Sequence, residues 1–146
     1  MMILIVDDFV LGAHGLAQML RLDGYPSEPA KGGLNALEMI RKHIPPAPLL
    51  VVLDYNMAEM NGMDVLRAIR ADPVIGQSSV VFHGAYSNLE IKAEAERLAV
   101  TSWLPKNGGD QGLPYLAAEL VRLYRLAGGK ISDLNALPSG DIPAQN

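Results

Sequence analysis

Short runs of strand length alternate with segments of helical period along this chain, and this alternation decides the class of fold. The strand-like runs are Met2–Val6, a weak one near Tyr25–Glu28, Leu49–Leu53, Ser79–Phe82 and Thr101–Leu104. The first and third runs stay apolar instead of alternating with polar residues, which is typical of central strands buried on both faces of a parallel sheet.

The segments between these runs carry their apolar residues on one helix face. The five stripes are Ala13/Leu16/Ala17/Leu20, Leu37/Ile40/Ile44, Val65/Leu66/Ile69, Ile91/Ala95/Leu98/Ala99 and Leu113/Leu116/Ala117/Leu120/Tyr124, and we assign them to the core. Gly24, the Pro45–Pro46 pair and Pro73 are predicted to follow the first three helices, and Ser87 or Asn88 to cap the fourth. Five strands alternating with five helices predict an α/β fold, a doubly wound five-stranded parallel sheet with five flanking helices.

Composition excludes several classes of protein. The 146 residues contain no cysteine, so disulfides and thiolate metal sites are excluded. The net charge of −4 and the lack of a basic stripe argue against nucleic-acid binding. No apolar stretch reaches the roughly 20 residues that cross a bilayer, and the N-terminus lacks the pattern of a leader, so we expect a cytoplasmic protein that does not bind membranes. We expect one domain over residues 1–127 and a flexible tail over 128–146.

Acidic residues stand at the ends of two predicted strands. Asp7 and Asp8 follow the first, and Asp54 ends the third. If these strands are neighbours, the three carboxylates converge, and two of them about 5 Å apart repel by roughly 3 kcal/mol at an effective dielectric near 20. All-oxygen ligation suits Mg²⁺, and Lys106 after the last strand adds a compact ammonium suited to phosphate. The residues therefore describe a metal-assisted phosphoryl site.

The segments "ILIVDD", "VVLDYNMAEMNG" and "WLPK" occur in an order and spacing that resemble the receiver domain of two-component response regulators, of the chemotaxis-type single-domain kind. The resemblance covers residues 2–127. It implies a flavodoxin-like receiver fold in which Asp54 accepts a phosphoryl group and Lys106 pairs with that group. It also implies that Asp7, Asp8 and Asp54 hold Mg²⁺ together with the backbone carbonyl of Asn56.

The resemblance also implies partners. The phosphoryl donor would be a phosphohistidine on a sensor histidine kinase or on a histidine phosphotransfer protein. We expect no output domain after the fifth helix and therefore expect the signal to pass to a downstream protein, or through a homodimer, at the fourth and fifth helices. The chain would not be an enzyme beyond slow autophosphorylation and self-dephosphorylation.

The sequence departs from the family pattern around the predicted site. Gly84 stands where the family has Thr or Ser, although Ala85 matches the next position, and Trp103 replaces the usual switch Tyr or Phe. Loss of a charge-assisted hydrogen bond from that hydroxyl costs roughly 1.5–3 kcal/mol, so we expect phosphorylation to move the loop less. Ala58 and Asn107 replace two loop prolines, which predicts more mobile loops.

Two alternatives remain open. A degenerate receiver would keep the fold as a phosphate-independent interaction module; Gly84 favours it, whereas Asp8, Asp54 and Lys106 argue against it. A haloacid-dehalogenase-like phosphatase would need an Asp-x-Asp at the first strand end, which "VDDFV" does not supply. His83 ends the fourth strand near the site, with no chemistry assigned.

Overall fold

A computed structural model of the chain describes residues 2–42, 50–84 and 88–131. Within these ranges the strands are β1 (Ile3–Val6), β2 (Ser27–Ala30), β3 (Leu50–Asp54), β4 (Ser79–His83) and β5 (Ser102–Leu104). The helices are α1 (Val10–Leu22), α2 (Gly33–Lys42), α3 (Gly62–Ala71), α4 (Leu89–Arg97) and α5 (Gly112–Leu126). All strand pairs are parallel and form one sheet, so the predicted fold class is confirmed.

The strand order is β2-β1-β3-β4-β5, which makes the first and third strands neighbours as the sequence argument required. Val6 lies opposite Leu53 in the register, so the residues after β1 and the end of β3 emerge side by side. The order reverses direction at β1. In open α/β sheets this reversal opens a crevice at the carboxyl ends of the strands, which is where ligands bind.

Each face of the sheet has its own apolar core. Leu4, Val6 and Leu53 pack with residues of α2, α3 and α4, whereas Ile5 and Val52 pack with α1 and α5. Neighbouring residues of a strand point to opposite faces, so each strand contributes to both cores.

Two element boundaries differ from the sequence prediction. The second strand begins at Ser27 rather than Tyr25, because the Tyr25 amide donates to the Leu20 carbonyl (2.9 Å) in the turn that ends α1. The Tyr25 ring packs edge-on against Tyr124, with centroids 6.1 Å apart. A tertiary contact therefore overrides the apolar signal that placed Tyr25 in the strand.

The fourth helix is shorter than its stripe. It ends at Arg97, and Ala99 has a left-handed backbone (φ 58°) and an exposed side chain. The prediction that Ala99 belongs to the core was wrong, because the Val100 amide bonds back to the Ala95 carbonyl (3.0 Å) and turns the chain towards β5. Leu98 caps the helix and still packs on the core.

Most residues predicted to mark helix ends lie at helix ends in the structure. Gly24 follows α1 with φ 93°, Pro73 follows the end of α3, and the Asn88 side chain caps α4 by accepting from the Ile91 amide (2.9 Å). Ser87, Ile44 and the Pro45–Pro46 pair lie outside the described residues, as do residues 132–146. Among the described helices, none is long and apolar enough to cross a membrane.

The guanidinium of Arg70 joins two loops at the end of α3. It donates to the carbonyls of Gly76 (2.8 Å) and Ser78 (2.6 Å) before β4, and to those of Leu98 (2.7 Å) and Ala99 (3.2 Å) after α4. One side chain thus donates to four carbonyls of two loops. This clamp fixes the ends of β4 and β5 that lie opposite the predicted site.

Candidate functional site

Three carboxylates meet at the carboxyl edge of the sheet. Asp7, Asp8 and Asp54 each place an oxygen within 4.8 Å of the others. Asp7 and Asp54 are buried, being 3% and 4% exposed, whereas Asp8 faces solvent. Strand alternation explains the burial, because Asp54 follows Val52 on the face that packs against α1 and α5, and Asp7 continues the alternation of Ile5. The predicted convergence of the three acids is confirmed as geometry.

The ammonium of Lys106 bridges two of these carboxylates. Its Nζ lies 2.9 Å from Asp54 Oδ2 and 3.3 Å from Asp7 Oδ2. Burial alone would lower the pKa of Lys106, but the hydrogen bond to Asp54 and the charges of Asp54 and Asp7 outweigh it and raise that pKa. Lys106 is therefore a cation held at the mouth of the site.

One lysine does not balance the acids. Burial raises the pKa of Asp54; the Lys106 hydrogen bond opposes this, and the charge of Asp7 adds to it, so that the pKa ends above its usual range. The ionised form that a nucleophile needs is therefore less favoured here than in an exposed aspartate. A divalent cation among the three acids would reverse the balance, and a cluster of carboxylate oxygens is what Mg²⁺ prefers. The residues therefore fit this metal.

Backbone amides orient two of the carboxylates. Asp7 Oδ1 accepts from the Phe9 amide (2.9 Å), and Asp8 Oδ2 accepts from the Ala58 amide (3.1 Å) in the loop after β3. The second bond joins the two strand ends that carry the acids. Asn56 lies exposed in that same loop, two residues beyond Asp54.

Gly62 closes the loop after Asp54 and begins α3. Its amide donates to the Tyr55 carbonyl (2.9 Å), and an added Cβ would lie 2.5 Å from Phe82 Cε1 and 2.9 Å from the Asp54 carbonyl oxygen. Glycine is required here by the close approach of the chain. The helix then starts with a capping box formed by Asn61 and Asp64.

Comparison with known proteins identifies the family. The model of the response regulator receiver domain matches residues 3–116. The chain belongs to the response regulator receiver family. It is 35% identical over 121 residues to the chemotaxis protein CheY-3 of Vibrio cholerae, covering 82% of this chain and 85% of that relative.

Other relatives are longer proteins. The transcriptional regulatory protein ZraR of Klebsiella oxytoca is 32% identical over 146 residues, which is 97% of this chain but 32% of the relative. This chain thus spans about a third of that regulator's length. Among solved structures, a response regulator receiver protein from Pseudomonas putida superposes with a TM-score of 0.70 at 24% identity, covering 84% of this chain and 95% of that one, which supports the fold.

Gly84, the position where this receiver lacks the family hydroxyl, directly follows β4. Its amide donates to the Leu104 carbonyl of the neighbouring strand (2.8 Å), and its φ of 131° is a conformation that other L-residues rarely adopt. An added Cβ would meet only Asp54 Oδ1 within 4 Å, at 3.9 Å. The position therefore faces Asp54, but the backbone there is specific to glycine.

Of the two other predicted switch residues, the structure describes only Trp103. Trp103 is half-buried and stacks on Phe82 of β4, with ring centroids 4.5 Å apart and an interplanar angle of 23°. Ala85 lies outside the described residues.

The loop between β5 and α5 also differs from the family pattern. Asn107 has a left-handed backbone (φ 56°), and Gly108 and Gly109 continue with φ 84° and 59°. Proline, the usual residue at the first of these positions, is fixed near −65° and cannot adopt this conformation. The substitution of Asn107 for proline is thus tied to a different course of the loop that carries Lys106.

His83 is the site residue to which sequence reasoning assigned no chemistry. It is 2% exposed, and its Nε2 lies 3.6 Å from Asp7 Oδ2. Burial lowers the pKa of His83 to about 4; the charge of Asp7 opposes this shift and that of Lys106 adds to it. The signal that could have revealed its position is the period of two along β4, which places His83 on the same face as Val81.

Proposed function

We propose that this receiver is the phospho-acceptor module of a two-component signalling system and that Asp54 takes the phosphoryl group. The observation that carries the proposal is the Lys106 ammonium, held between the Oδ2 atoms of Asp54 and Asp7 at 2.9 and 3.3 Å. A strand-end carboxylate beside a fixed ammonium and two further acids has the parts that phosphoryl transfer needs, namely a nucleophile, a cation and a metal-binding set.

In the proposed reaction a carboxylate oxygen of Asp54 attacks the phosphorus of a phosphohistidine. The P–N bond breaks, its electron pair leaves with the partner's imidazole, and an acyl phosphate forms on Asp54. Lys106 then exchanges its contact with the Asp54 carboxylate for a contact with a phosphoryl oxygen. The protein's contribution is mostly position and charge, because little covalent chemistry is left for other side chains.

The proposed metal site consists of Asp7, Asp8, Asp54 and the backbone carbonyl of Asn56. Mg²⁺ bound there would neutralise the charge that accumulates on the phosphoryl oxygens. The hydrogen bonds from the Phe9 and Ala58 amides orient Asp7 and Asp8 for this purpose.

The partners we propose are a sensor histidine kinase or a histidine phosphotransfer protein as donor, and a downstream protein that reads the α4 and α5 surface. The proposal includes homodimerisation through the same helices. We assign the receiver module to residues 1–127. Gly84 favours one competing function, an interaction module that works without phosphate, because the phosphoryl group would gain no hydroxyl partner there.

Labelling with a small phosphodonor decides between the two functions. Wild-type protein should take up phosphate or beryllofluoride in a Mg²⁺-dependent manner, and Asp54→Asn should not, while keeping its circular dichroism spectrum. Asp23→Asn is the matched control, since Asp23 is an exposed acid at the far end of α1. Labelling of Asp54→Asn at the wild-type level would remove Asp54 from the role. A folded wild-type protein that takes up no label would favour the interaction module.

A further inference from the structure

A buried imidazole without a hydrogen-bond partner lies beneath the acidic site. Among the described residues, His83 is the histidine whose two ring nitrogens are both buried and unpaired, whereas His14 is exposed on α1. Burying a polar group without a partner costs free energy, and an aliphatic residue would fill this position without that cost. The imidazole therefore calls for an explanation other than packing.

The ring is directed at one carboxylate. Its Nε2 lies 3.6 Å from Asp7 Oδ2, slightly beyond the range of a formed hydrogen bond. A nitrogen lone pair facing a carboxylate oxygen would be repelled, so this arrangement favours the neutral tautomer that carries its proton on Nε2. A small rotation of either side chain would complete an N–H to carboxylate bond.

One oxygen of Asp7 depends on the Lys106 ammonium, which also contacts Asp54. Its Oδ1 is satisfied by the Phe9 amide, but its Oδ2 shares the Lys106 ammonium with Asp54. When Lys106 pairs with a phosphoryl group, as the proposed function requires, Oδ2 of this carboxylate, which is only 3% exposed, loses its hydrogen-bond donor, and a bond to Mg²⁺ would occupy only one of its lone pairs. A buried acceptor left in this way is strongly disfavoured.

We propose that His83 is a positioning residue of the acceptor site, whose Nε2–H donates to Asp7 Oδ2 and holds that carboxylate in place when Lys106 turns to the phosphoryl group. The inference rests on the proposed function for the movement of Lys106. It assigns His83 no contact with the reacting atoms, since it acts through Asp7. Hydrogen-bonded partners of metal-ligating carboxylates commonly change metal affinity by 10- to 100-fold when they are removed.

The tautomer provides the first test, and it needs no activity. Long-range ¹H–¹⁵N NMR spectra of metal-free wild-type protein at neutral pH should show His83 protonated on Nε2. Addition of Mg²⁺ and beryllofluoride should move the Nε2–H proton downfield as the bond to Asp7 tightens. A proton on Nδ1, or a resonance that does not respond, would overturn the proposal.

Variants provide the second test. His83→Leu should weaken Mg²⁺ binding, measured by calorimetry, by roughly 10-fold. His83→Gln retains a neutral donor at similar reach and should recover most of the affinity. Wild-type affinity in His83→Leu, or equal losses in both variants, would show that the side chain only fills space. If His83→Leu does not fold, the wild-type tautomer decides.

The two proposals can fail separately. If wild-type protein takes up no phosphoryl group, the proposed function falls, while the tautomer and the Mg²⁺ affinities still judge the bond between His83 and Asp7. If uptake is normal and His83→Leu binds Mg²⁺ with wild-type affinity, the inference about His83 falls and the proposed function stands.

Discussion

Replacing Gly84 with alanine tests whether the loop after β4 depends on a backbone that only glycine tolerates. Alanine in place of glycine usually stabilises a protein by about 0.4–1 kcal/mol when the backbone is compatible, because the unfolded chain has less freedom to lose. At φ 131° the residue lies where other L-residues are strained, at a cost of order 1–3 kcal/mol. Space is not the obstacle, since the nearest atom to the added Cβ is Asp54 Oδ1 at 3.9 Å.

The sign of the change in unfolding free energy therefore decides the question. We expect Gly84→Ala to lose about 1–3 kcal/mol in urea unfolding at an unchanged m-value. Gly15→Ala is the control: this glycine lies in α1 with nothing within 4 Å of an added Cβ, and the substitution should stabilise the protein by about 0.5–1 kcal/mol. A Gly84→Ala protein as stable as wild type would refute the strain argument.

Gly84→Thr then separates the hydroxyl from the strain. It should be destabilised about as much as Gly84→Ala, yet it should hold beryllofluoride more tightly than the alanine variant. A charge-assisted hydrogen bond of roughly 1.5–3 kcal/mol corresponds to about 10- to 150-fold. Equal affinity in the two variants would mean that the strained loop carries the hydroxyl away from Asp54.

Two further predictions concern buried groups. The pKa of His83 falls from 6.5 to about 4 on folding, so the unfolded chain takes up this proton first as the pH drops. The unfolding free energy of the metal-free protein should therefore be highest above about pH 6.5 and decrease by about 3 kcal/mol between there and pH 4. His83→Leu should lack this loss. If the unfolding free energies of the two proteins, measured in EDTA, depended on pH in the same way, the shift would be contradicted. In thermal or urea unfolding, Arg70→Met should lower the unfolding free energy by roughly 2–3 kcal/mol, because carbonyls of two loops lose the hydrogen bonds that Arg70 donates. Arg70→Lys should recover less than half, because an ammonium lacks the planar fork; full recovery would mean that charge alone matters.

The fold could be predicted from the periodicity of the apolar residues, and the errors in that prediction have local causes. Apolar strands and helical stripes predicted the doubly wound sheet because tertiary packing in this fold agrees with the local pattern. The pattern could not show that Tyr25 packs on Tyr124 from a turn, since that contact spans most of the chain. Nor could it show the left-handed turn at Ala99, because neither glycine nor asparagine marks the position.

The candidate site was predictable where strand ends and motifs define it. Asp7, Asp8, Asp54 and Lys106 meet because parallel strands end at a common edge. The backbone of Gly84 could not be anticipated, since glycine permits many conformations and the one adopted depends on its bond to Leu104.

The backbone around Asn107 has a consequence for building chimaeras of this receiver with others of its family. Three successive residues, Asn107, Gly108 and Gly109, have positive φ, and no single replacement by proline fits among them. On one side the chain has ordinary extended dihedral angles at Pro105 (φ −60°, ψ 140°). On the other side Gln111 is again α-helical (φ −90°, ψ −10°), and Gly112 then has a φ of 81°. The segment from Lys106 to Gly112 is therefore a single cassette, to be exchanged whole or left untouched.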